Sequence, residues 1–172
     1  MVSETAVAEA MTLPTMVISP VDVNRLQREL EALEAFLQQA KIRHPGEVVK
    51  LPSTSRLFEE LARSNHLNLL KATDRQRAAT FLKDIKTNSP VLHISFATDP
   101  SAAFLKQLII WLRNNIHPQV LVRVGLQPTI AAGCTIRTSN KVFDFSLRQR
   151  FLQRRHLLVE ALKTNGALPN NQ

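Results

Sequence analysis

The spacing of apolar residues changes once along this chain, at Thr87-Asn88-Ser89-Pro90. Before this loop the apolar residues recur at three- and four-residue steps, which is typical of amphipathic helices. After it come short runs such as Val91–Phe96, whose β-branched and aromatic residues are typical of strands. The sequence therefore predicts an α+β fold, with a helical region over residues 19–88 and a small α+β domain over residues 89–172. Residues 1–18 lack sustained periodicity and are predicted to form a flexible tail.

The first helix is predicted over Val21–Lys41, where Ser19 and Asp22 form a Ser-x-x-Asp start around Pro20. One side of this helix carries an apolar stripe made of Val23, Leu26, Leu30, Leu33 and Leu37. Two alternatives remain open for the stripe. It packs on the helix's own domain, or it pairs with a helix of another subunit, for which Glu47–Leu51 is a candidate hinge.

A helical hairpin is predicted over Ser55–Lys86. Ser53-Thr54-Ser55 offers an N-cap for its first helix, and Thr73-Asp74-Arg75-Gln76 resembles a capping box for its second. The long helix and this hairpin together make up the helical half of the chain.

The second half is predicted to have the order βαββα, with a mixed sheet. Its first strand is Val91–Phe96, and Asp99-Pro100 is expected to begin the helix that follows. Val120–Val124 is the next strand, and so short a strand-helix-strand unit indicates a crossover between parallel strands.

The chain then predicts a β-hairpin that runs directly into a terminal helix. The two hairpin strands are Thr129–Arg137 and Lys141–Phe145, and Thr138-Ser139-Asn140 has the composition of a tight turn. Asp144 and Ser146 stand where a helix needs a side-chain acceptor at its N-terminus. One amphipathic helix is predicted from there, with apolar positions at Leu147, Phe151, Leu157, Leu158 and Leu162.

No residue pattern predicts a catalytic, cofactor or metal site. The four glycines are scattered and form no phosphate-binding loop, and the five histidines have no metal-ligand spacing. His93 is predicted to be a hydrogen-bonded core or edge residue, and the single Cys134 a small buried one. Trp111 is predicted to be partly buried, with an interface anchor as the alternative. No apolar run is long enough to span a bilayer.

Almost all of the net positive charge lies in the second half of the chain, because acidic residues are few there. The net charge is +8, and residues 89–172 hold ten of the 22 lysines and arginines but three of the 14 acids. Such a surface favours an acidic protein, an anionic lipid or a nucleic acid. The terminal helix could dock an acidic partner helix, or it could be a solvated face without a ligand. Its basic residues are Arg148, Arg150, Arg154, Arg155 and Lys163.

Nucleic-acid binding is the alternative from another functional class. Aromatic residues make up 5% of the chain and tyrosine is absent, so the aromatic pattern of RNA-reading strands is missing. We therefore rank a small basic nucleic-acid-binding protein second.

The stretch Ile130–Arg148 resembles the C-terminal end of the delta subunit of F-type ATP synthases, called the oligomycin-sensitivity-conferring protein in mitochondria. The matching features are Ile130, Ala132-Gly133, the strand Lys141-Val142-Phe143 and the run Asp144-Phe145-Ser146-Leu147-Arg148. Ala132 replaces the first glycine of the family's Gly-Gly pair. The resemblance extends back to about Val91, and the N-terminal half does not look like the family's helical bundle.

The resemblance implies a non-catalytic subunit of the peripheral stalk, or stator, of a proton-translocating ATP synthase. In the family the C-terminal domain engages the end of the paired b-subunit helices, and the N-terminal part reaches the catalytic head through alpha-subunit termini. It implies no cofactor, no small-molecule substrate, and a cytoplasmic location at the inner face of the energy-transducing membrane through the complex. The candidate partner-binding residues are Leu26, Leu30, Leu33, Leu37, Ile130, Gly133, Arg148, Arg154 and Arg155.

Overall fold

A computed structural model describes residues 11–43 and 52–165, and over these ranges it confirms the predicted α+β fold with a mixed sheet. The described residues form six α-helices, one 3₁₀ turn and four strands. In chain order the elements are α1 (Pro20–Arg43), α2 (Arg56–Ser64), α3 (Ala72–Asn88), β1 (Val91–Phe96), α4 (Ala102–Asn115), β2 (Leu121–Leu126), the 3₁₀ turn Pro128–Ile130, β3 (Cys134–Arg137), β4 (Val142–Asp144), α5 (Leu147–Gln153) and α6 (Arg155–Asn165). The candidate hinge at 47–51 lies outside the described residues.

The described chain divides into two compact units. The helical unit contains the described residues up to Val91 together with Ala102–Val122, and the sheet unit contains Leu92–Ser101 and the described residues from Arg123 onward. This division differs from the predicted boundary at residue 89, because α4 belongs with the helices. The spacing of residues within α4 carries no information on this grouping, which depends on contacts distant in sequence.

The core of the helical unit is built on α1, which packs against α2 and α3. The leucine stripe of α1 is buried, with Leu26 0% exposed and Leu37 7% exposed. Phe58 and Leu61 of α2 and Leu82 of α3 belong to the same apolar cluster. The stripe therefore follows the first alternative and packs within its own unit.

The first two helices begin as predicted. Asp22 Oδ2 accepts a hydrogen bond of 2.8 Å from the Ser19 N–H, and Ser19 Oγ accepts one of 3.3 Å from the Asp22 N–H, which completes a capping box. At α2, Ser55 Oγ accepts a hydrogen bond of 3.3 Å from the Phe58 N–H. Both helices thus have their first free N–H groups satisfied by the expected side chains.

The predicted start of α3 at Thr73 is wrong. The helix begins at Ala72, and the residue before it, Lys71, makes no side-chain cap. Asp74 instead accepts a hydrogen bond of 2.8 Å from the Asn68 N–H. The loop between α2 and α3 is also held by the buried Arg75. Its Nη1 donates hydrogen bonds of 2.9 Å to the carbonyls of Leu69 and Leu70. Hydrogen bonds to loop residues five or six positions earlier take the place of the predicted capping box.

Residues 11–18 of the predicted flexible tail are packed against the helical unit, whereas residues 1–10 lie outside the described residues. Val17 is 0% exposed. The Arg113 guanidinium on α4 donates hydrogen bonds to the carbonyls of Leu13, Pro14 and Val17. Burial lowers the pKa of Arg113 to about 10, so this guanidinium remains charged at neutral pH. A segment without periodicity is thus fixed through its backbone.

The sheet has the strand order β2-β1-β3-β4. β1 and β3 are antiparallel, as are β3 and β4, and the remaining neighbours β2 and β1 form the parallel pair. Leu92, Ile94 and Phe96 of β1 are buried, while the alternate residue His93 is exposed. One face of the strand is therefore covered and the other open. His93, predicted to be a hydrogen-bonded core or edge residue, is exposed and lies on an inner strand of the sheet.

Two other predicted boundaries need correction. The strand expected from Thr129 begins only at Cys134, because Pro128–Ile130 forms a 3₁₀ turn. α4 begins at Ala102, so Asp99 is not its N-cap. Among the described helices, none combines the length and apolar character needed to cross a membrane.

Candidate partner-binding surface

The hairpin joins the last helices at a close backbone contact that depends on Gly133. Gly133 has a φ of +94°, and a Cβ at this position would lie 2.4 Å from the Phe145 carbonyl oxygen. Two backbone hydrogen bonds run alongside, from the Phe145 N–H to the Cys134 carbonyl and from the Leu147 N–H to the Ala132 carbonyl, both 2.9 Å. Glycine thus permits the approach that positions the start of α5.

The turn of the hairpin is the one predicted. The Thr138 N–H donates to the Lys141 carbonyl at 2.8 Å, and Thr138 Oγ1 accepts from the Lys141 N–H at 3.0 Å. The short strands β3 and β4 are thereby held in register, with Ile136 opposite Phe143.

Ser146 is the N-cap of α5, and its Oγ accepts a hydrogen bond of 3.3 Å from the Gln149 N–H. Asp144 plays a different part. Its Oδ1 accepts a hydrogen bond of 2.8 Å from the Ser146 N–H, and so it fixes the cap residue. Hydrogen bonds from the side chain and then the backbone of Ser146 lower the pKa of the Asp144 carboxyl from its ordinary value of 3.8, with a smaller contribution from Arg148.

This shift predicts a pH-dependent effect of Asp144→Asn on stability. A carboxyl whose pKa is depressed by folding stabilises the fold above the unfolded value, about 3.9, and loses that contribution as pH falls through the lower folded value. We expect the wild type to exceed the variant in unfolding free energy at neutral pH, and the gap to close in acid. Urea unfolding of both proteins at a series of pH values measures this difference in unfolding free energy. Because Ser146→Ala removes the hydroxyl donor, it should narrow the gap, and a gap that persists unchanged in strong acid would contradict the assignment.

The single predicted terminal helix is two helices. α5 ends at Gln153, and the Arg154 N–H donates to the carbonyls of Arg150 and Leu152 as a C-cap. α6 begins at Arg155. Arg154 has φ −104° and ψ 14°, outside helical geometry, so the two helices meet at a bend. No glycine or proline marks this bend in the sequence.

The outer side of these helices combines exposed apolar and cationic residues. No residue of α5 is buried. Its Phe151 and Leu152 are 66% and 59% exposed, and Leu157 of α6 is 49% exposed. We call this region the α5–α6 surface. It is formed by the exposed apolar residues Leu147, Phe151, Leu152 and Leu157 together with Arg148, Arg150, Arg154 and Arg155.

A groove of about 1300 Å³ runs along the α5–α6 surface. All eight side chains of that surface line it, together with Thr129, Ala131 and Gln153. A groove lined by both apolar and cationic side chains has the composition that suits one face of an amphipathic helix carrying acidic residues. Sequence periodicity alone could not reveal it, because an apolar helical stripe normally predicts burial within the chain.

The nine predicted partner-binding residues fall into three groups. Arg148, Arg154 and Arg155 come together at the groove. The four stripe leucines lie in the core of the helical unit, and Ile130 is only 5% exposed, so these five are corrected from partner contacts to interior residues. Gly133 has a conformational role and does not line the groove.

Two other residues singled out in the sequence, Trp111 and Cys134, do not line the groove. Trp111, predicted to be partly buried with an interface anchor as the alternative, is 57% exposed. Cys134 is half-buried, and burial followed by the charge of Asp144 raises the pKa of its thiol, which disfavours a reactive thiolate.

The described ranges contain no group of three or more His, Cys, Asp or Glu side chains placed to hold a metal ion. Comparison of the chain with models of known protein families and with curated proteins finds no match.

Proposed function

We propose that this chain is a non-catalytic peripheral-stalk subunit of an F-type ATP synthase, and that its α5–α6 surface holds the end of the b-subunit helices. The observation that carries the proposal is the groove lined by four exposed apolar side chains and four arginines. It is supported by the resemblance of Ile130–Arg148 to the last part of the family's delta subunits. The location at the inner face of the energy-transducing membrane, through the complex, belongs to the same proposal.

The composition of the groove indicates the chemistry of its occupant. Burial of the exposed Phe151 and Leu152 would supply most of the binding free energy, since apolar burial contributes about 25 cal/mol per Å². The four arginines would select a helix with acidic residues flanking its apolar face and would orient it. An arginine fork also binds carboxylates in bidentate geometry, which a lysine does not reproduce.

The helical unit, which includes α4, has a separate role in this proposal. Its leucine stripe is occupied within the helical unit, so contact with the head through alpha-subunit termini would use other residues. Trp111, 57% exposed on α4, is the aromatic side chain we assign to such a contact.

The test uses the purified full chain with the b and alpha subunits of the same organism. Reversing two charges of the groove, in Arg154→Glu with Arg155→Glu, should weaken b-subunit binding by about tenfold or more, as expected for charges bordering an interface. Isothermal titration calorimetry measures the change. The matched control is Arg123→Glu with Lys106→Glu, which alters net charge equally at exposed positions that do not line the groove. Equal weakening by both pairs, or no binding by the wild type, would contradict the proposal.

Nucleic acid is tested in the same preparation, because the arginines of α5 and α6 could also contact phosphates. Binding driven by phosphate contacts falls steeply as salt rises. Mobility-shift assays at increasing salt should show no stable complex if the groove serves a protein helix. A complex that is lost in the Arg154 and Arg155 variant would favour the nucleic-acid alternative.

A further inference from the structure

The open face of the sheet carries a second concave site, separate from the α5–α6 surface. The register of β1 and β3 places His93 opposite Arg137 and Ser95 opposite Thr135. Directly paired residues of antiparallel strands point to the same side of a sheet, so these four polar side chains share one face. The buried residues of β1 occupy the other face.

These side chains line a cavity of about 480 Å³, within the volume range of small-molecule sites. We call it the open-face pocket. Its lining residues are His93, Ser95, Gln127, Thr135, Arg137 and Val142, and none of them lines the α5–α6 groove.

A glycine on β2, Gly125, lies beside Ser95 of the open-face pocket. A Cβ added to Gly125 would lie 3.3 Å from Ser95 Oγ. Any larger side chain here would therefore crowd the Ser95 hydroxyl. The absence of a side chain on the neighbouring strand leaves that hydroxyl accessible.

The polar groups of the open-face pocket are not used within the described parts of the chain. The side chains of His93, Ser95, Thr135 and Arg137 make no hydrogen bond or ion pair with residues in the ranges 11–43 and 52–165. Arginine, hydroxyl and amide groups can all donate hydrogen bonds, and the guanidinium carries a fixed positive charge. The pocket is thus rich in free donors, the property required to bind an oxyanion.

The acid closest in the strand register is Asp144, which pairs with Thr135. It does not line the pocket, and its Oδ1 accepts the Ser146 N–H at the start of α5. Arg137, two residues beyond Thr135 on β3, lines the pocket and supplies its positive charge.

We propose that the open-face pocket binds the phosphate group of a small phosphorylated molecule. Donors on two strands and on Gln127 surround the cavity, which suits the three free oxygens of a phosphate monoester. A planar carboxylate would use the Arg137 fork and leave the hydroxyls of Ser95 and Thr135 unpaired. The cavity exceeds the size of a phosphate ion, which leaves room for the organic part of the ligand.

The test follows the amide resonances of the isotope-labelled full chain during titration at constant ionic strength. The probes are inorganic phosphate, ribose phosphate and, as the carboxylate comparison, acetate. We expect saturable shifts at His93, Ser95, Thr135 and Arg137 with both phosphates, and tighter binding of ribose phosphate. Acetate should give no saturable shift at these positions.

Arg137→Gln should weaken phosphate binding by about tenfold or more, because it removes the charge-assisted contact. Thr135→Val is a second variant. It keeps the charge of Arg137 but removes a hydroxyl donor, so it should also weaken phosphate binding. Arg123→Gln is the matched control and should bind as the wild type does, since Arg123 does not line the pocket. The same spectra show whether each variant is folded.

Three results would overturn the proposal. These are absence of saturable shifts with either phosphate, equal binding of acetate, and shifts confined to α5 and α6 that Arg137→Gln leaves unchanged. The last result would show that phosphate binds the arginines of the groove.

Discussion

Gly133→Ala is expected to lower the unfolding free energy by about 3 kcal/mol, the sum of backbone strain and overpacking, each of which costs about 1–3 kcal/mol. Gly133 has a φ of +94°, which an L-residue with a side chain rarely adopts. The new methyl group would also lie 2.4 Å from the Phe145 carbonyl oxygen. Because that atom belongs to the backbone, relief requires moving β4 away from the turn before β3. Chemical denaturation of the full chain measures the loss.

Gly125→Ala is the matched control for this substitution. Its Cβ would meet only the Ser95 side chain, at 3.3 Å, and its φ lies outside the left-handed region. We expect a loss well below that of Gly133→Ala. Similar losses for the two variants would mean that the close approach at Gly133 does not determine the stability of the hairpin.

Leu26→Ala should also destabilise the chain by about 3 kcal/mol, within the range of about 2–5 kcal/mol for buried leucines. Leu26 is 0% exposed in the core of the helical unit. Its truncation leaves a cavity between α1 and the helices packed on it. Thermal and urea unfolding of the isolated chain are the measurements.

The control for Leu26 is Leu70→Ala, which removes the same atoms from a side chain that is 55% exposed. It should change stability by less than about 0.5 kcal/mol. The comparison distinguishes the two alternatives for the leucine stripe. A stripe that serves only another subunit would give a small loss at Leu26 in the isolated chain.

Local signals in the sequence predicted the elements whose structure is decided locally. Val91–Phe96 forms β1 with the predicted bounds, Ser19 and Asp22 make the predicted capping box, and Thr138 closes the predicted turn. In each case the side chains that determine the conformation lie within a few residues of one another. Propensity and capping rules apply directly to such segments.

The features that the sequence did not reveal depend on contacts across the chain. The bend at Arg154 contains neither glycine nor proline, and residues 11–18 are held by an arginine about a hundred positions away. The terminal helix was predicted either to dock a partner or to be a solvated face, and its periodicity could not decide, since an apolar stripe has the same pattern whether it faces a core or a partner. Arg154 and Arg155 were predicted from the basic character of the terminal helix, and Arg148 from that character together with the family resemblance, since the second half holds only three acids.

The attachment of the N-terminal segment has a consequence for sequence variation. Arg113 recognises three main-chain carbonyls, those of Leu13, Pro14 and Val17. Every amino acid offers the same carbonyl group, so exchanges at these acceptor positions preserve the hydrogen bonds as long as the backbone path and the apolar fit are kept. Arg113 itself has no equivalent substitute, because lysine lacks a planar fork of donors. Substitutions at Leu13, Pro14 and Val17 should therefore be tolerated more often than substitutions of Arg113.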